Sequence, residues 1–538
     1  SGKGRVVLLP KRAKLEYALG WEILLDHSLE QQGRALLWAA RREPQYALTV
    51  TAPDTPVSRA SLPADLLTVG WRDLPPQSEV RVLLQRWDGA TSDLGSVPAH
   101  GGNAATFALP VGREGDYHVL AFAVDAGVTL DWAKKPLTIA ADRHVDTVEL
   151  DKDWAECDEH IEGRALLSGS LQPEDRVQVR LVDRRGRILA KQDFPAAPTV
   201  PFTFGLASWM PMLLRIEATI LNGAEEVASA YAFLRITQRR RNQYNFVMWN
   251  VPSGDLAPYG VEALARYGVT AVLQQGPPPL CMASSGLAYV PYAASFRASS
   301  HTVTAMLDPA TGFLKTGCVH DAEAMAKTIR KTVSHAQRAR EHGVLAYSLG
   351  DENAVRASCL SPQCLEAYQQ YLKDQYGAIE ALNEEWETEY ASFDEIQLLC
   401  EGALPAPDAP EWFREYYAER HLLHSTDNEG AQGDALAQQI AFGDINDEMR
   451  ALQAGNFARW YDRQAFQNYS YVQWCKRHQE ALREIDPQAW TGFEGTDSFS
   501  IRRLTTSTRQ GGDLDAFVRE LDYFGPYRGP ANEVVRSI

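Results

Sequence analysis

Alternation of apolar and polar positions dominates the first 240 residues. Positions 80–87 and 117–124 are two such runs, parted by turn-forming residues such as His100-Gly101-Gly102, and strands that bury one face read in this way. A second set lies at 177–182, 214–220 and 227–233, with a turn at 183–186. Asn222-Gly223 between the last two runs predicts a tight hairpin of type I′, in which both central residues take positive φ. The pattern predicts a β-rich segment over 1–60, a β-sandwich over 61–140 and a second, immunoglobulin-like sandwich over 141–240. Arg239-Arg240-Arg241 reads as a solvated join to the C-terminal half.

Beyond residue 240 the period changes. Met325, Ile329, Val333 and Ala336 share one face of a helix predicted over 321–342, which Asp321 is suited to cap and Gly343 to end. Positions 344–349 then read as one apolar run, the pattern of a parallel strand buried on both faces. Asp351-Glu352-Asn353 comes directly after it. In a β/α barrel the loops after the strands build the active site, so a Glu just past a strand end faces the mouth. A pair of acids capping the next helix is the plain alternative. The expected fold is multidomain: N-terminal β-sandwich domains followed by a (β/α)8 TIM-type barrel over 241–538.

The residues after Glu352 narrow the choice. Cys359, Cys364, Tyr376-Gly377, Leu382-Asn383, Trp386, Thr388 and Tyr390 occur in an order that resembles the glycoside hydrolase family 42 β-galactosidases. There an Asn-Glu pair closing the fourth barrel strand precedes a cysteine cluster, a Tyr-Gly helix end and a Leu-Asn-x-x-Trp-Gly-Thr motif. Asp351 stands where the family has Asn, Glu387 where it has Gly, and Ala391 where it usually has Trp. The resemblance, looser toward the end, covers about residues 242–538. It places six barrel strands at 244–250, 269–274, 287–292, 344–349, 490–495 and 521–527.

The resemblance implies a retaining glycosidase with Glu352 as general acid/base. Such a reaction needs one carboxyl that holds a proton and a second carboxylate that stabilises or traps the oxocarbenium-like sugar. The family's nucleophilic Glu comes after strand seven, which the strand count places beyond Ile538, and Glu494 is the fallback nucleophile or a substrate-binding residue. Aromatic platforms for sugar rings are expected from Trp249, Tyr292, Trp460, Tyr461, Tyr523 and Tyr527, and polar partners for hydroxyls from Asn250, Asp351, Asn353 and Asp497. Core packing is the competing role for each ring. Cys318, Cys359 and Cys364 resemble part of the family's structural zinc site, with His320 as a fourth ligand. No cofactor is expected, and unmetallated cysteines are the preferred reading. A related polysaccharide hydrolase of agarase-like type, and a non-catalytic sugar-binding protein on a barrel scaffold, are the alternatives.

Composition limits the partners. A formal charge of −17 excludes the basic footprint that nucleic acid or an anionic membrane surface demands, whereas neutral sugars make no such demand. No run approaches the roughly 18 apolar residues of a membrane span. Seven thinly spread cysteines do not form a disulfide scaffold. A periplasmic or extracellular location is slightly favoured, and formation of a homo-oligomer is open. Asn468-Tyr469-Ser470 matches a glycosylation sequon but falls inside a predicted helix.

Overall fold

A computed structural model of the chain describes residues 4–9, 17–42, 45–63, 65–110, 112–249, 252–273, 279–294, 318–351, 361–397, 454–494 and 514–525. These residues are rich in β-structure and fall into two compact units. One holds 1–272, 276–288 and 341–343, the other 273–275, 289–340 and 344–538.

The first unit contains two sandwiches of five and three strands. In the first, Val57–Ser58, Val128–Ala140, Gly115–Asp125, Glu79–Arg86 and Thr91–Pro98 form one sheet in that order, and Ala47–Thr51, Leu67–Arg72 and Ala104–Phe107 the other. The alternation of the sequence becomes register here. Val80, Val82 and Leu84 pair with Ala123, Ala121 and Val119, and all six are buried in one core with Leu67 and Val69 of the opposite sheet. The second sandwich repeats the device with Val177, Val179 and Leu181 opposite Ile220, Ala218 and Ile216. Inward-facing apolar residues of both sheets thus form a single layer between them.

A buried ion cluster joins the two sandwiches. Arg113 donates to Glu217 at 2.9 Å, and its guanidinium lies 3.2 Å from Glu226 and 3.4 Å from Asp88. Arg180 and Arg215 approach the same Glu217 at 3.2 and 3.1 Å. Burial would raise the Glu217 carboxyl, but the Arg215, Arg180 and Arg113 charges overcome it and hold the group below its usual range.

Two sequence expectations change. The connection between Leu213–Asn222 and Glu225–Thr237 pairs Asn222 with Glu225, so Gly223 and Ala224 are its central residues, and only Gly223 has positive φ (61°). A type II′ turn has that requirement, in place of the expected type I′. Within the expected β-rich segment 1–60, Trp21–Ala39 is a helix. Its buried apolar residues, Trp21, Ile23 and Leu25, all lie at its start. The later turns are held by polar contacts: His27 against His118, Glu30 with Lys134, and Arg34 on the carbonyl of Trp132.

Six short strands stand where six barrel strands were expected. Val247–Trp249, Ala271–Leu273 and Ala288–Val290 form one sheet in chain order, and Tyr347–Asp351, Thr491–Glu494 and Tyr523–Gly525 another. The last three are paired in parallel, and isolated parallel bridges join Tyr289 to Val344 and Tyr292 to Ser348. Helix Ala322–Arg340 precedes the strand Tyr347–Asp351, helices Pro362–Tyr376, Ile379–Trp386 and Ala458–Ile485 come between it and Thr491–Glu494, and Leu514–Glu520 precedes Tyr523–Gly525. Asp321 caps the first of these through the backbone N–H groups of Glu323 and Ala324. Tyr347, Leu349 and Phe493 bury against Tyr471, Trp474, Cys475 and Leu482 of the 28-residue helix Ala458–Ile485.

Candidate functional site

Parallel pairing brings the C-terminal ends of three strands together. Asp351 stands in register with Glu494, and Glu494 with Gly525. Gly492 permits this closeness: a Cβ there would lie 2.0 Å from the Tyr523 carbonyl oxygen and 2.5 and 2.7 Å from its ring. The Tyr523 ring can therefore lie over the neighbouring strand, and its hydroxyl donates to Oε1 of Glu494 at 2.5 Å. Ser348, fully buried in the strand Tyr347–Asp351, donates to Oε2 at 2.6 Å.

Glu494 is itself only 8% exposed. Burial, the largest influence, pushes its carboxyl up to about 7; the negative charge of Asp351 adds to the rise, and the hydroxyl bonds from Ser348 and Tyr523 oppose it. Burial and the adjacent Glu494 hold the Tyr523 hydroxyl well above its usual range, with a smaller contribution from Tyr292. Tyr523 is therefore a permanent donor near neutral pH, and Glu494 a carboxyl poised between its two forms. Such a group can hold or accept a proton near neutral pH.

The other expected residues are dispersed. Tyr292 reaches the cluster through its bridge to Ser348. Trp249 ends the strand Val247–Trp249. Trp460 and Tyr461 lie in the first turn of helix Ala458–Ile485, not at a strand end, and Tyr461 is 65% exposed. Asn250, Glu352, Asn353, Cys359, Asp497 and Tyr527 lie outside the described residues. Sequence reasoning missed Ser348, whose signal was a serine within a run read as apolar.

The Tyr-Gly and Leu-Asn-x-x-Trp motifs have a structural explanation. Tyr376 ends its helix, with Gly377 at φ 71° closing it. The hydroxyl of Tyr376 and the indole N–H of Trp386 both donate to Oδ2 of Asp462, at 2.6 and 2.8 Å. Asn383 holds the turn after its helix by accepting from Thr388 Oγ1 and the Tyr390 N–H and by donating to the Tyr390 carbonyl. Glu387 adopts the left-handed conformation, φ 56° and ψ 49°, which explains why glycine suits this position. The motif therefore fastens two helices to a third.

Cys318 and Cys364 lie in one apolar cluster with Tyr368 and Phe466. The His320 ring shares a 2.8 Å hydrogen bond with Ser470 and stacks on Phe466. Among the described residues no three His, Cys, Asp or Glu side chains gather as metal ligands, nor is any helix long and apolar enough to cross a membrane.

The glycoside hydrolase family 42 model, described as β-galactosidase, matches residues 315–401. That segment contains the strand Tyr347–Asp351 and the helix Ile379–Trp386 with the turn after it, and it relates the chain to glycoside hydrolases. Among curated proteins none matches the chain. Similar solved structures include β-glucuronidase 3 of Bacteroides uniformis (7% identity, 91% of this chain and 52% of that one, TM-score 0.24). Another is β-glucuronidase 2 of the same organism, covalently bound to cyclophellitol-6-carboxylate aziridine (10% identity, 86% and 49%, TM-score 0.22). A tetra-tandem repeat from the extending region of a large adhesion protein matches at 18% identity over 35% of this chain and 49% of that one, with a TM-score of 0.16. The chain spans about half the length of each of these, and at such TM-scores the likenesses carry no argument.

Proposed function

We propose that residues 241–538 are a glycoside hydrolase domain on a β/α-barrel scaffold, acting with retention on β-galactoside-like or related oligo- and polysaccharides. The observation that carries this reading is the family match over 315–401, which includes a parallel strand ending at Asp351, beside a buried carboxyl on the next strand. Glu352 comes after Asp351 in the sequence and is assigned the general acid/base role. It protonates the glycosidic oxygen as the bond breaks, then takes a proton from the water that releases the sugar, while a second carboxylate about 5 Å away forms the covalent intermediate. Charge at Asp351 raises the proton affinity of a neighbouring carboxyl, which favours an acid near neutral pH. The chemistry requires no cofactor, and the sandwiches serve as architecture or as sugar-binding surfaces.

A screen of the full chain on aryl galactosides and on plant and marine polysaccharides tests substrate class and activity together. Glu352→Gln should lower turnover by about 10² or more on poor leaving groups and by less on activated aryl glycosides, which hardly need protonation. Equal losses on both would remove Glu352 from this role.

A further inference from the structure

The Ser348 hydroxyl has more acceptors than hydrogens. It lies 2.6 Å from Oε2 of Glu494 and 3.3 Å from the Gly350 carbonyl, with geometry suited to donating to either, and it accepts from the Gly350 N–H at 3.1 Å. A serine carries one proton, so it satisfies both acceptors only if one of these bonds runs the other way. A proton on Oε2 resolves the conflict. Glu494 then donates to Ser348, Ser348 donates to Gly350, and Tyr523 still donates to Oε1. Every polar atom of this buried relay has a partner.

The surroundings point the same way. Among the described residues no Lys, Arg or His is bonded to Glu494; its neighbours are two hydroxyls and the carboxyl of Asp351. A buried carboxylate without a cation is unfavourable, and a second acid beside it makes it more so. We propose that Glu494 is a positioning residue that works as a neutral carboxylic acid, its proton relay through Ser348 to Gly350 fixing the strand end at Asp351. Glu352 is next to Asp351 in sequence, so ionisation of Glu494 regulates the proposed hydrolase site by releasing this end. The regulatory part rests on the glycosidase reading; the protonation state does not.

Two measurements separate them. In full-length protein labelled with δ-¹³C glutamate, the carboxyl resonance lost in Glu494→Gln belongs to Glu494. It should titrate with a midpoint near 7, as burial and Asp351 dictate. In Ser348→Ala the midpoint should shift, because the relay partner of the carboxyl is lost. A midpoint below 5, or one unmoved in Ser348→Ala, overturns the proposal whether or not any glycoside is cleaved. In the assay, wild-type turnover should fall about fivefold from pH 7 to pH 8, tracking the neutral fraction of a group with that midpoint. The uncharged isostere Gln should remove that fall. Persistence of the fall in Glu494→Gln, or a loss of turnover beyond about 10³ at every pH as expected of a missing nucleophile, overturns the positioning role.

Discussion

Replacement of Asp462 offers a test of what the family-like motif does. Its Oδ2 accepts from both Tyr376 and Trp386, so Asp462→Ala deprives two donors at once. Trp386 is buried, at 5% exposure, so its unpaired N–H costs about 2 kcal/mol, whereas half-buried Tyr376 can turn toward solvent and loses about 1 kcal/mol. The sum is about 3 kcal/mol. Asp462→Asn keeps an oxygen where both donors need it and loses only charge assistance, about 1 kcal/mol. Urea unfolding should be monitored by tryptophan fluorescence and circular dichroism, so that the transition of this unit is separated from that of the sandwiches. A cycle with Tyr376→Phe should give a coupling of about 1 kcal/mol. If Ala and Asn destabilise equally, charge matters and acceptor geometry does not. If neither shifts the transition, the three helices are not joined here.

Stability should also depend on Glu494. Its carboxyl is raised from 4.5 to about 7, so the stability tied to its neutral form is complete below about pH 4.5 and is lost as pH rises to 7, about 3 kcal/mol in all. Relative to wild type, Glu494→Gln should therefore gain stability between pH 5 and pH 8 in urea titrations, and a constant difference would contradict the assigned protonation. Glu387→Gly should relieve the left-handed strain at that residue, adding about 0.5–1 kcal/mol and raising the Tm by about 2 °C by calorimetry; an unchanged Tm would count against it. Gly492→Ala should destabilise by about 2 kcal/mol through its clash with Tyr523 and raise the Glu494 midpoint, measured by the same carbon titration, because the Tyr523 bond is lost.

Strand positions were legible wherever burial alternated or ran continuously, since Val80-x-Val82-x-Leu84 needs no distant information to declare its inner face. The helix Trp21–Ala39 was not, because its later turns dock through the His27, Glu30 and Arg34 contacts and leave no apolar period to read. The Asn222-Gly223 hairpin was located, but its turn type depends on which two residues the register leaves unpaired. Glu494 could be named as the end of a strand. Its raised proton affinity could not, because Ser348 lies 146 positions away and Tyr523 another 29. The order of Tyr376, Asn383 and Trp386 was recognisable, while their convergence on Asp462 is a tertiary fact.

The cluster around Arg113 gives the chain an order of assembly. Arg113 and Glu217 are separated by 104 positions, so during synthesis Arg113 emerges well before its partner exists. The first sandwich can close its core from Leu48 to Ile139 in that interval, with Asp88 beside the waiting guanidinium. Its flank must stay hydrated until the strand Leu213–Asn222 is made. The seam between the sandwiches therefore closes only after residue 217 is made, and a ribosome pausing before that point would leave one face of the first sandwich unsealed.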